Sequence, residues 1–230
     1  LGPSGATLQV ADGRIVGLAG ALADAPGAAG GTLAKTGAGL LRLQAAAPST
    51  HTGATQVLAG TLALSADSQL GAVPGVATPG HLLLDGGTLQ ADAGFTLAAA
   101  RGLQLGAGGG TVAVPGGQQL AFAGVLSGLS VDPAQGALTK AGDGQLALSG
   151  ANTFAGATRV RAGSLAIDGD AQLGTAPASA TPGHLLLDGG RLQVAGSTTL
   201  AASRGIALGA SGAVLDIAAG ATVAYNGALA

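Results

Sequence analysis

Ala77-Thr-Pro-Gly-His-Leu-Leu-Leu-Asp-Gly-Gly87 returns unchanged as Ala180-Thr-Pro-Gly-His-Leu-Leu-Leu-Asp-Gly-Gly190, 103 positions later. Around it, Gly31-Thr-Leu33-Ala-Lys35-Thr-Gly37-Ala-Gly39 is answered by Gly136-Ala-Leu138-Thr-Lys140-Ala-Gly142-Asp-Gly144 at an offset of 105, so two residues are inserted near Pro48. Thr7-Leu8-Gln9-Val10 matches Thr111 to Val114 and again Val214 to Ile217. The expected organisation is a single slice, 1–230. It holds the end of one unit (1–30), a full unit (31–135) and a second unit (136–230) incomplete at its C-terminal end. With no initiating Met and no basic–apolar–small opening segment, the chain reads as an internal piece of a longer protein.

Within each unit the pattern is short and alternating. Leu41-Arg-Leu43, Leu62-Ala-Leu64, Leu89-Gln-Ala91, Leu103-Gln-Leu105 and Val112-Ala-Val114 recur as Leu146-Ala-Leu148, Leu165-Ala-Ile167, Leu192-Gln-Val194, Ile206-Ala-Leu208 and Leu215-Asp-Ile217. Period two puts one set of side chains on one face of a strand. Gly-rich corners separate these runs every ten to twenty residues, and no window keeps helical spacing beyond a turn. A sandwich would need hairpin signals, and Asn226-Gly is the clearest of few. A parallel β-solenoid fits better: small residues at corners, an aliphatic interior, repetition along the chain. About 20 residues per coil would give about 11 coils and a rod on the order of 50 Å.

Composition agrees. Gly is 44 of 230 residues, yet 47% are hydrophobic, which excludes a solvated disordered tail. Glu, Met, Cys and Trp are absent, aromatics are 2% and charged residues 9%. The core must therefore be Leu, Val, Ile and Ala. A net charge of −2 with scattered cations argues against nucleic acid. The uncharged stretch Gly102 to Val131 is too rich in Gly to span a membrane as a helix, and three Phe and one Tyr cannot make a barrel's aromatic girdles. No membrane insertion of this segment is expected.

Leu138-Thr-Lys140-Ala-Gly142-Asp-Gly144-Gln-Leu146-Ala-Leu148-Ser-Gly150-Ala-Asn152-Thr153-Phe154-Ala-Gly156-Ala-Thr158-Arg-Val160-Arg-Ala-Gly163-Ser-Leu165 resembles the passenger-associated transport repeat of bacterial autotransporters. The family pattern runs Lys-x-Gly-x-Gly, Leu-x-Leu-Ser-Gly-x-Asn-Thr-aromatic, Gly-x-Thr-x-Val, Gly-x-Leu. The first unit keeps Lys35, Gly37, Gly39, Leu41 and Leu43, departs over Gln44 to Thr52 with His51 where Phe154 stands, and resumes at Gly53. The resemblance implies an all-β, right-handed parallel β-helix, exported by type V secretion and displayed on or released from a Gram-negative outer membrane. It also implies a translocator barrel outside this slice. The structural motif positions are Lys35, Gly37, Gly39, Lys140, Gly142, Gly144, Asn152, Thr153, Phe154, Gly156, Thr158 and Gly163.

Candidate chemical sites are sparse. His81 and His184 each precede Asp85 or Asp188 by four residues, the same strand face but about 13 Å apart, too far for one metal. The reading adopted is a polar strand start, with Asp bonding its own backbone in a Gly-Gly turn. Asp67 and Asp170, before Ser-Gln-Leu-Gly and Ala-Gln-Leu-Gly, read as N-caps of a short helical turn rather than Ca²⁺ ligands with Asp168. Lys35 and Lys140 are expected to face solvent, Asn152 to serve a corner, Phe154 to pack inward and His51 to point outward. No nucleophile elbow, phosphate loop, dinucleotide fingerprint or metalloprotease motif occurs, so no catalytic residue, cofactor or metal is expected. The expected function is a structural stalk or secretion-supporting segment. The alternative is an adhesin or self-association module that meets host-surface or neighbouring-cell receptors through the full passenger. A β-helical enzyme fragment ranks last.

Overall fold

The computed structural model describes all 230 residues. They form 23 strands of three or four residues and four single-turn 3-10 helices. The strands stack in parallel ladders along three faces of a solenoid. The first face carries Ala6–Gln9, Leu33–Thr36, Thr55–Val57, Leu82–Leu84, Leu103–Leu105 and Leu126–Gly128. The second carries nine strands, from Ile15–Leu18 to Ile206–Leu208, and the third six, from Phe95–Leu97 to Val214–Ile217.

Strands on the second face begin at Ile15, Leu40, Thr61, Thr88, Gly110, Leu138, Thr158, Leu185 and Ile206. The solenoid therefore has nine turns rather than eleven, and coils of 20 to 28 residues, because connections such as Gly71 to His81 are longer than simple corners. Eight inter-strand steps give a rod of roughly 38 Å.

Alternation builds the core. Burial alternates residue by residue along Leu33–Thr36, Leu138–Ala141 and Ser164–Ile167, and 33 buried apolar side chains make one continuous cluster. Down the second face, Leu41, Leu62, Leu89 and Val112 stack in register. Each coil covers the apolar side chains of the one below, which is how a chain with so few large residues obtains a dry interior.

The repeat is not a whole number of coils. Leu33–Thr36 and Leu82–Leu84 lie on the first face, whereas their equivalents Leu138–Ala141 and Leu185–Leu187 lie on the second. Thr61–Leu64 lies on the second face and its equivalent Ser164–Ile167 on the third. Thr198–Leu200, equivalent to Phe95–Leu97 on the third face, pairs with Val223–Tyr225 in a small fourth sheet. That sheet continues the line of the first face, through Thr153, whose N–H donates to Leu126 O, and Thr175, whose N–H donates to Phe154 O. One unit thus advances four coils and one face.

Candidate functional site

The repeat motif is a set of corners. Lys35 and Lys140 are fully buried, which corrects the solvent-facing reading. Positions two apart share a strand face, so Lys35 follows Leu33 inward and Lys140 follows Leu138. Lys140 even stacks between Val112 and Val160 in the interior column. Its ammonium doubles back to the corner and donates to Ala141 O (2.8 Å), Gly142 O (2.6 Å) and Ala162 O (3.1 Å). Lys35 makes the same three bonds, to Thr36, Gly37 and Ala59. Burial lowers both ammonium pKa values, that of Lys140 to about 8 against the opposing pull of Asp143.

Gly37 and Gly142 both take φ of +72°, and a Cβ there would overlap the carbonyl oxygen of Val10 or Val114 in the coil below. Gly39, Gly144, Gly156 and Gly163 lie against backbone carbonyls in the same way. Asn152 Oδ1 accepts from Leu126 N (2.8 Å) and its Nδ2 donates to Gln172 O (2.6 Å), joining three successive coils. Thr153 is exposed beside it, Phe154 is buried inside, and Thr158 is buried facing the interior.

The Asp residues work across coils rather than within their own turns. Asp67–Leu70 and Asp170–Leu173 are indeed short 3-10 turns, but no side-chain cap forms, and each Asp is the first residue of its turn. Asp67 instead receives the guanidinium of buried Arg101 on both oxygens (2.7 and 3.0 Å). Asp170 receives Arg204 likewise (2.7 and 2.9 Å). The remaining Arg204 donors reach Leu173 O and Gly174 O. This clasp was missed, although both pairs are separated by 34 residues and repeat at an offset of 103. Asp85 and Asp188 are corrected too: each accepts from the following coil, at Gly108 N (2.8 Å) and Ser211 N (3.0 Å), not from its own turn.

The three histidines are all buried. His184 Nε2 lies 2.9 Å from Ala155 O, whereas neither ring nitrogen of His51 or His81 has a partner. The outward reading of His51 is therefore overturned: the insertion is absorbed before it, and its ring takes the interior place that Phe154 takes in the second unit. Burial holds all three imidazole pKa values below the usual range. A shallow groove of about 320 Å³ on the third face is lined by Gln145, Ala147, Ala166, Asp168, Gln193 and Asp216, among others. No three metal-ligating side chains converge there or elsewhere.

The passenger-associated-transport-repeat family model matches residues 33–64 and 138–167, the two stretches that hold the buried lysines. Over 171 residues, 73% of the chain, the sequence is 35% identical to the adhesin BmaC autotransporter of Brucella suis biovar 1 (strain 1330). The chain spans 4% of that relative's length. No solved structure matches.

Proposed function

We propose, from the premise that the chain is an autotransporter passenger-like β-helical segment bearing two passenger-associated transport repeats, that it acts as a rigid stalk supporting secretion and display. One observation carries this reading. The polar residues that define the motif, Lys35, Lys140 and Asn152, spend their hydrogen bonds on the backbone of their own and adjacent coils. A recognition motif would present such groups to solvent. Here they clamp corners, and the modules they close are the units 31–135 and 136–230.

The stalk reading assigns the segment no catalytic residue and no cofactor. It places the segment at the surface of a Gram-negative bacterium or outside it, anchored through, or released from, a translocator barrel elsewhere in the protein. No helix is long and apolar enough to cross a membrane. The second reading, an adhesive surface toward host or neighbouring-cell receptors, is favoured by the adhesin name of the relative and by exposed Val73, Val76, Leu129 and Val131.

Removing Ala77 to Ser179 from the passenger that carries this segment separates the two. A stalk tolerates the loss, with export and adhesion both retained. Lost adhesion with export and folding intact transfers the function to the segment's own surface.

A further inference from the structure

Nine buried side-chain polar atoms have no hydrogen-bond partner, and five of them lie together. His51 Nδ1 and Nε2, His81 Nδ1 and Nε2, and Thr55 Oγ1 are all buried without a hydrogen-bond partner, in adjoining coils of the first unit. The His51 ring lies against Gly71, where a Cβ would stand 2.7 Å from Cε1. In the second unit the ring on the equivalent Gly174 is that of Phe154, and His184 Nε2 has a carbonyl partner, leaving only His184 Nδ1 and Thr158 Oγ1 unpartnered there. The same pocket thus exists twice, once hydrocarbon and once imidazole.

The charges around the pair do not welcome another proton. Arg101 opposes a positive charge on both rings, and each imidazolium would oppose the other. Two carboxylates face the pair, Asp24 toward His51 and Asp67 toward His81. Asp67 is engaged on both oxygens by the Arg101 guanidinium; Asp24 takes the Thr52 N–H and hydroxyl on Oδ2, while its Oδ1 has no partner. An imidazolium here would be a buried cation whose desolvation outweighs what Asp24 and the Leu22 and Thr52 backbone return to it.

We propose that His51 and His81 form an acid-sensitive latch: mild acid opens the coils from about residue 45 to 85 before it opens the equivalent coils of the second unit. Burial, reinforced by Arg101, favours the neutral rings in the folded state. The stabilisation is therefore complete above the unfolded-chain pKa of about 6.5 and is lost as pH falls below it. Each histidine makes opening up to about tenfold easier between pH 7.5 and 5.5, so the first unit opens up to about a hundredfold more readily and the second, with His184 alone, up to about tenfold.

Hydrogen exchange on the full chain at pH 7.5 and 5.5, corrected for intrinsic rates, reads this directly. Amides of residues 45–85 should lose about a hundredfold protection and those of 148–188 about tenfold. His51→Phe should reduce the first loss to about tenfold, and Phe154→His should raise the second to about a hundredfold. Equal losses in the two units, or a His51→Phe chain with unchanged acid response, would overturn the latch. Should His51→Phe fail to fold, the Phe154→His exchange and an NMR titration of the native rings still decide. His51 titrating near 6.5 with its coil closed is the contrary result.

Discussion

Deleting Ala77 to Ser179 joins Val76 to Ala180 and continues through the same eleven-residue sequence, so the junction is chemically silent. Leu185–Leu187 then takes the place of Leu82–Leu84 on Thr55–Val57, which shares Thr and Val with its native neighbour Thr158–Val160. Arg204 finds Asp67 in place of Asp170. The geometry that follows is less obvious. Because 103 residues comprise four coils and one face, the rod should shorten by about 21 Å at the ~4.8 Å strand spacing, and everything beyond the junction should turn by one face. Arg42 lies on the second face and Gln193 on the third, six coils further along, about 29 Å axially. After the deletion Gln193 occupies the register of Gln90, in the column Arg42–Ala63–Gln90, two strands from Arg42 and about 10 Å away. The chain has no cysteine, so spin labels on Arg42→Cys and Gln193→Cys are unambiguous. Strong dipolar broadening is expected in the shortened protein and none in the parent. A shortened protein that keeps its β spectrum but shows no broadening would mean that Gln193 does not turn onto the Arg42 face, so the junction fails to restore the Gln90 register.

Lys140→Met should cost about 2–4 kcal/mol by urea melting, since three carbonyls lose a charged donor, whereas a solvent-facing lysine would cost under about 0.5. With its pKa lowered by burial to about 8, Lys140 also makes stability rise as pH climbs from about 8 toward 10.4, because the unfolded chain then holds the extra proton, and the rise should flatten in Lys140→Met. Asp170→Asn leaves the buried Arg204 without its anion and should cost about 3 kcal/mol in the same assay. Gly142→Ala meets both a left-handed backbone and the Val114 carbonyl, and should lose more than about 2 kcal/mol or fail to fold.

The solenoid was legible because period two and an interval near 103 survive in the primary sequence. The Asp residues depart from local expectation for one physical reason. In a β-solenoid the partner of a side chain sits a coil away, 20 to 34 residues along the chain, so rules built on local partners choose the wrong bond. Asp67 looked like an N-cap and is an ion-pair acceptor for Arg101; Asp85 looked like its own turn's acceptor and serves Gly108. Lys35 was placed outside because lysine is rarely buried, against the parity that sets it beside Leu33. His51 fell in a degenerate stretch where no motif fixed its parity, and only the stacking of Gly71 on its ring shows which side it takes.

The fractional repeat also says which contacts the sequence specifies. The bonds that define a unit run along the rod, between neighbouring coils: Lys140 to Ala162, Asn152 to Leu126 and Gln172, Arg204 to Asp170. None depends on which face it occupies, so a unit can advance by a third of a turn and find the same neighbours above and below. Outward positions show the opposite behaviour. Arg42 and Asp92 form an ion pair over Ala63 in the first unit, and their equivalents Ala147 and Ala195 leave Ala166 open in the second. Gln56 becomes Arg159 and Thr88 becomes Arg191. A binding surface repeated along a rod would hold its outward residues constant and keep them on one side. Outside the stretch Gln44 to Thr52, this chain keeps most of its inward and corner residues between units and varies several outward ones, as the proposed spacer would.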